Sequence, residues 1–297
     1  MKISSLIAAL ILLPLFGATA QVVTVQVTMQ QSEFLPGETM PVTVRVENNS
    51  GQTLHLGADS KWLTFDVESL DSQTPVQPIA DPPVIGPFDL GSSELATKTV
   101  DLAPCFALNQ PGSYNVTATV HIHAWGTDTA SPPVDFDIVQ GAELWSEEFG
   151  VPVPPGVTNR MPEIRKFTLE EANYLRRQLR LYVMVTDPTG ARVIKVDAVG
   201  PMVSFSRPEA QLDRLSNLHV LYQCGAQSFL YSVVNPNGII TQQDIYDYFG
   251  TRPRLALDAA GDIIVKGGVR RVRVGEVPPV KPPDELTPAP PPPAPGP

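Results

Sequence analysis

Cysteine is almost missing from this chain of 297 residues: Cys105 and Cys224 are the only two. They stand far apart, so they form no Cys-centred catalytic motif, and no Gly-x-Ser-x-Gly elbow offers a serine in their place. Basic residues are nearly absent from the first half. Between Gln21 and Asn159 there are three Lys or Arg against 17 Asp or Glu, a surface that repels phosphate. With no basic stripe interleaved with aromatics anywhere, a nucleic-acid ligand is not expected. Past residue 20 no run approaches the roughly 18 apolar residues that a membrane-spanning helix needs. The four histidines include one close pair, His121 and His123, but no third metal ligand falls near them in sequence.

What is present begins with the N-terminus. Lys2 gives a short positive start, Leu6 to Phe16 is an apolar run of secretory length, and Ala18-Thr19-Ala20 is an Ala-x-Ala cleavage site before Gln21. Residues 1–20 therefore read as an export signal, and no Cys follows the cleavage site for lipid attachment. The mature chain is expected to be secreted or periplasmic and not membrane-spanning. Its charge is uneven. Residues 160–274 carry 16 Lys or Arg against 11 Asp or Glu, so an acidic half is followed by a basic one. The halves dock, or the basic one meets an anionic partner.

From Val23 the chain alternates apolar and polar residues: Val23, Val25, Val27 and Met29, then Val42, Val44 and Val46 after the Pro36-Gly37 turn, then Leu54 and Leu56 after Asn48-Asn-Ser-Gly51. Further strands read at Leu63 to Val67, Thr97 to Leu102, Tyr114 to His123 and Val134 to Val139. About seven short strands punctuated by Pro and Gly describe a β-sandwich. Thr43-Val-Arg-Val-Glu-Asn48-Asn-Ser-Gly-Gln-Thr-Leu54, Phe65-Asp-Val-Glu-Ser-Leu-Asp71 and Pro111-Gly112-Ser-Tyr114-Asn-Val116 resemble the immunoglobulin-like domains of secreted bacterial proteins, of the type of the BsuPI proteinase inhibitor. The resemblance covers residues 22–140. It implies an immunoglobulin-like sandwich over 21–140 and, as an expectation, proteinase inhibition.

Gly141 to Arg165 contains Pro152, Pro154, Pro155, Gly156 and Pro162 and reads as a linker. An internal repeat comes next. Arg207-Pro208-Glu-Ala-Gln-Leu212-Asp213 recurs 45 residues later as Arg252-Pro253-Arg-Leu-Ala-Leu257-Asp258, and Gln178 to Gly190 is matched by Gln227 to Gly238. A period of that length, built from short apolar alternations and turn dipeptides, predicts a four-stranded β unit. Residues 166–273 are thus expected as two units resembling propeller blades, without the signature of a named propeller family. Within them Thr168-Leu-Glu-Glu171 matches a capping box for a helix. Alignment of Tyr182 with Tyr231 places Leu169 opposite Leu218, in a strand, and strand is the reading adopted. The fold class expected is all-β: an N-terminal immunoglobulin-like β-sandwich, then two propeller-blade-like antiparallel sheet repeats. Two blades cannot close a ring, so their edges need a cover, either the sandwich or other copies of the chain. The tail from residue 274 to 297 is dominated by proline and is expected to be a disordered, polyproline-like segment.

The candidate chemistry is sparse. His121 and His123, two apart on a strand, share a face with Asn115, Thr117 and Thr119, a wet face on which they read as solvent-facing rather than as zinc ligands. His219 reads as a half-buried sheet histidine, and His55, beside an Asn-Gly-rich turn, carries no signal. Asp213 and Asp258 sit at equivalent repeat positions before a turn, where a carboxylate accepts backbone N–H groups; calcium ligation would need alternating oxygen ligands that neither site has. Glu147 and Glu148 read as solvated charges. Arg176, Arg177 and Arg180, with Arg270, Arg271 and Arg273, form two basic clusters suited to forked contacts with an acidic glycan or an acidic envelope protein. An oxidising compartment favours a disulfide between Cys105 and Cys224, whereas packing as small hydrophobes leaves each thiol alone; sequence leaves both open.

These residues imply no catalytic group, no metal and no cofactor. The expected function is that of an exported, non-catalytic binding or structural protein of the cell envelope, monomeric or self-associating. The alternatives are a proteinase inhibitor acting through the sandwich and a degenerate glycan-processing enzyme.

Overall fold

The computed structural model describes residues 23–153, 163–174, 178–204 and 206–272. Residues 1–20, expected as an export signal, the prolines at 154–162 and the tail lie outside these residues. The described chain is all-β: 22 strands, one 3-10 turn at Ser60–Trp62, and no α-helix among the described residues. Its described residues fall into two compact units, one drawn from the ranges 1–142, 172–178 and 195–197, the other from 143–171, 179–194 and 198–297.

The first unit carries β1 (Val23–Met29), β2 (Glu33–Phe34), β3 (Pro41–Asn48), β4 (Leu54–Leu56), β5 (Leu63–Ser69), β6 (Thr74–Pro75), β7 (Phe88–Leu90), β8 (Glu94–Asp101), β9 (Gly112–Ile122), β10 (Thr127–Ala130) and β11 (Val134–Ile138). They form a three-stranded sheet, β1-β3-β8; a six-stranded sheet, β2-β11-β9-β5-β6 with β10 beside β9; and a small pair, β4-β7. The period-2 patterns explain the core. Val23, Val25 and Val27, Val42, Val44 and Val46, Leu63, Phe65 and Val67, and Val116, Ala118, Val120 and Ile122 are all buried in one cluster, while the residues between them are half-buried or exposed. Each strand expected here is present. β2, β6, β7 and β10 are additions, because two to four residues such as Thr-Asp-Thr-Ala have too little apolar alternation to announce a strand.

The second unit carries most of β12 (Ala142–Gly150), β13 (Ile164–Tyr174), β14 (Gln178–Thr186), β15 (Val193–Pro201), β16 (Glu209–Leu212), β17 (Leu218–Gln223), β18 (Ser228–Val234), β19 (Ile240–Asp247), β20 (Arg254–Leu257), β21 (Ile263–Lys266) and β22 (Val269–Arg270). Two expectations are corrected. The stretch 141–165 is not all linker. Its first nine or so residues are β12, an edge strand of the sheet β12-β13-β14-β15, held because Leu144, Trp145 and Phe149 join an apolar core and the prolines begin only at Pro152. Phe149 stacks on Phe167 with ring centroids 4.2 Å apart. At 164–174 the chain is strand, as alignment of the repeats required, and the capping-box pattern at Thr168 starts no helix.

The second correction concerns the phase of the repeat. The strand that ends each copy in sequence, β16 or β20, pairs with the next strand along the chain, giving sheets β16-β17-β18-β19-β22 and β20-β21. Residues 166–273 are therefore not two four-stranded units. Counted by hydrogen bonding among the described residues, a four-stranded sheet precedes a second built the same way and extended by β22, and a third has two strands. The middle sheet is covered on both faces: Leu218, Val220, Tyr222, Leu230 and Val234 pack in one cluster with Phe149, Phe167, Leu181 and Val183, and Leu221, Phe229, Tyr231 and Val233 pack in another with Leu255 and Val265. That double cover is why β17 and β18 read as almost unbroken apolar runs.

Three hairpins of this unit share one turn. In Asp213–Asn217, Asn235–Ile239 and Asp258–Asp262 the first residue's Oδ1 accepts the N–H groups two and four residues on. The fourth residue has positive φ in each: 60° at Ser216, 79° at Gly238 and 81° at Gly261. A carboxylate or amide that satisfies two backbone donors, followed by glycine in the left-handed region, closes a hairpin without strain. Ser216 adopts this conformation with a side chain, whose Oγ donates to the carbonyl of Gly150 at 2.8 Å.

Candidate functional site

The most developed polar arrangement lies in the second unit, on the face of the middle sheet that Leu255 and Val265 help to cover. Cross-strand register sets Leu221, Tyr231 and Asp244 side by side on β17, β18 and β19, and His219 lies two residues before Leu221 on the same face. His219 Nδ1 is 2.7 Å from the Tyr231 hydroxyl, and its Nε2 is 3.3 Å from Asp213 Oδ2. A carboxylate only accepts, so Nε2 carries the proton and Nδ1 receives the one donated by Tyr231. Asp244, itself buried, accepts from Arg270 Nε at 3.0 Å and Gln242 Nε2 at 2.7 Å.

The electrostatics follow from burial and bonding. Desolvation is the main cause pushing the Tyr231 phenol up to about 12, with Tyr246 and the negative charges of Asp244 and Asp213 adding to it, so the hydroxyl stays protonated and serves as a donor. Burial would also raise Asp213, but hydrogen bonds from the Asn217 side chain and backbone, His219 and the Leu215 N–H outweigh it and hold the carboxyl below its ordinary value. An Asp–His–Tyr chain of this kind can keep a proton at a defined atom. His219 and Tyr231 are only 8% and 5% exposed, which places the chain within packed sheets.

Sequence reasoning misses the acid beside His219. Asp213 is legible there only as a turn residue, which it is, and Asp258 repeats that role; its second oxygen reaches the histidine because the turn brings residue 213 back beside the start of β17. The spacing Asp-x5-His across a hairpin turn is the available signal.

Of the basic clusters, Arg176, Arg177 and Arg273 lie outside the described residues. Arg180 is half-buried on β14, near enough to Tyr222 for its charge to favour the phenolate, although burial dominates and raises that phenol. Arg270 meets Asp244, and Arg271 forks onto Asp247 with Nη2–Oδ1 at 2.7 Å and Nε–Oδ2 at 3.1 Å. Arg270 and Arg271 thus neutralise carboxylates of their own sheet.

In the first unit His121 and His123 project to one side as expected, their rings 4.6 Å apart. His121 pairs with Asp128, its register partner on β10, and His123 with Asp59 at 3.2 Å; His55 pairs with Asp89. Among the described residues no group of three or more His, Cys, Asp or Glu is placed to hold a metal ion. Both cysteines are free thiols, Cys105 buried in the first unit and Cys224 half-buried in the second. Glu147 and Glu148 are exposed on β12. Among the described residues no helix is long and apolar enough to cross a membrane.

No family model and no curated protein matches the chain. Among solved structures, Spo0M, a sporulation control protein from Bacillus subtilis, aligns over 69% of this chain and 80% of its own at 12% identity, with a TM-score of 0.31. A likeness that slight says nothing of shared architecture or role.

Proposed function

We propose that the chain is an exported, non-catalytic binding or structural protein of the cell envelope, an immunoglobulin-like β-sandwich joined to a run of propeller-blade-like sheets. The observation that carries this reading is the sheet that stops short. β20 and β21 cover the middle sheet with Leu255 and Val265. By register their opposite side presents Arg254, Ala256, Ile264 and Lys266, of which Ile264 is 41% exposed. Phe249, in the approach to β20, is 77% exposed. Exposed apolar side chains beside an unfinished sheet are what a partner surface is made of, and the basic rim suits an anionic envelope partner such as an acidic protein face or an acidic glycan.

The test is a pull-down of the mature protein from an envelope fraction, repeated with Ile264→Glu/Lys266→Glu. The expected result is capture that weakens with salt and is lost in the double variant. Equal capture by both proteins, or recovery of the chain with cytoplasmic markers on cell fractionation, would overturn the reading. Light scattering on the same pair separates self-association from a foreign partner.

A further inference from the structure

The first unit contains a pocket of about 170 Å³ opening beside β8. It is a walled, largely apolar concavity that opens to the surface, the kind of site a small organic molecule can enter. Its walls are Val44 and Val46 of β3, Trp62, Val84, Phe88 and Ala96. The Trp62 indole N–H donates to the Val84 carbonyl at 3.0 Å, and its ring meets Phe88 edge to face at 5.5 Å. The aromatic wall is therefore fixed in place, and its own donor is already satisfied.

The polar residues at the lining are Thr97 and Lys98, and of the two only Lys98 turns its side chain to that face. Lys98 is one of only three basic residues between 21 and 159. It sits opposite Val44 in the β3–β8 register, on the same side of β8 as Ala96 and Val100, which is the core side. It is half-buried, and among the described residues it makes no ion pair. A lone ammonium at an apolar pocket in an acidic domain selects by charge and by shape together.

We propose that this pocket binds small organic monocarboxylates, the carboxylate on Lys98 and an apolar body of about six to nine heavy atoms between Trp62, Phe88 and the β3 valines, since an apolar cavity of ~150 Å³ accommodates benzene. A cation is repelled by Lys98, and a neutral analogue loses the charged contact.

The experiment is calorimetric titration of the mature protein with benzoate, hexanoate, benzyl alcohol and benzylamine, with indole resonances of Trp62 followed in parallel. Benzoate and hexanoate are expected to saturate and to shift the Trp62 signal, benzyl alcohol to bind more weakly, and benzylamine not to bind. Lys98→Met should weaken both acids by about tenfold while Lys98→Arg retains them, as expected for loss of a charge-assisted contact. Ala96→Leu should fill the pocket and abolish binding, with thermal melts confirming that each variant is folded. The proposal fails if neither acid saturates, if benzylamine binds as well as benzoate, or if Lys98→Met binds acids like the parent. In that last case, with increased self-association, Lys98 would be only a guard against pairing at the β8 edge.

Discussion

Tyr231 donates its phenolic proton to Nδ1 of His219 across 2.7 Å, and the ring so fixed turns its other nitrogen toward Asp213. Removing the hydroxyl leaves a buried acceptor without its partner. Tyr231→Phe is expected to cost about 1–3 kcal/mol, read as a lower denaturation midpoint at unchanged slope; an unchanged midpoint would show that the contact contributes nothing.

Asp213 makes stability depend on pH. Its carboxyl is held below the ordinary value in the folded protein, so its contribution is fully present above the unfolded pKa of roughly 4 and fades as pH falls through the lower folded value. Asp213→Asn should flatten the acid limb of a stability–pH curve. Identical limbs for parent and variant would count against the assignment.

Gly51 and Gly57 share a φ of 80° but not their surroundings: a Cβ at Gly51 meets nothing within 4 Å, whereas one at Gly57 falls 2.1 Å from the Gly86 carbonyl oxygen. Gly51→Ala should cost about 1–2 kcal/mol for the left-handed backbone alone. Gly57→Ala should exceed it by roughly 1–3 kcal/mol of overpacking. Equal losses in denaturant melts would mean that the backbone at Gly86 yields freely.

Phe149→Ala removes the ring stacked on Phe167 and should cost about 3–5 kcal/mol. A loss under ~1 kcal/mol, within the range of ordinary surface substitutions, would show that β12 is dispensable to its sheet.

Both thiols are raised by burial, with Asp101 and Asp81 adding to the effect at Cys105. Alkylation of the native protein near neutral pH should be slow and should reach the half-buried Cys224 before Cys105. Unfolding should make both react at once. Non-reducing mass spectrometry that finds no alkylatable thiol in protein produced in an oxidising compartment would instead reveal a disulfide.

The strands of the first unit are legible in sequence because a valine at every second position admits one buried face and little else. β12 is not, because the prolines after Gly150 dominate the residues before them. The repeat is plain in the Arg-Pro to Asp copies, yet self-similarity has no beginning: only hydrogen bonding shows that β16 belongs with β17. The Asp213–His219–Tyr231 chain depends on hairpin register between strands, which single-residue patterns do not carry. Lys98 is hidden for another reason. The charge pattern is dominated by the arginine clusters at 176–180 and 270–273 of the other half, two of whose members pair with carboxylates of their own sheet, while a single lysine in a basic-poor half forms no pattern.

The offset between the copies in sequence and the sheets in space affects how the gene can change. Asp213 and Asp258 occupy the same place in the same turn, 45 residues apart. Excising residues 214–258 would join the first half of one turn to the second half of its twin, leaving Asp-Ala-Ala-Gly-Asp intact and β16 facing β21. Such an excision would remove β17, β18, β19 and β20 together while preserving the turn, and would leave β22 without the strand it pairs with, so the 45-residue period is the unit in which this half can be cut.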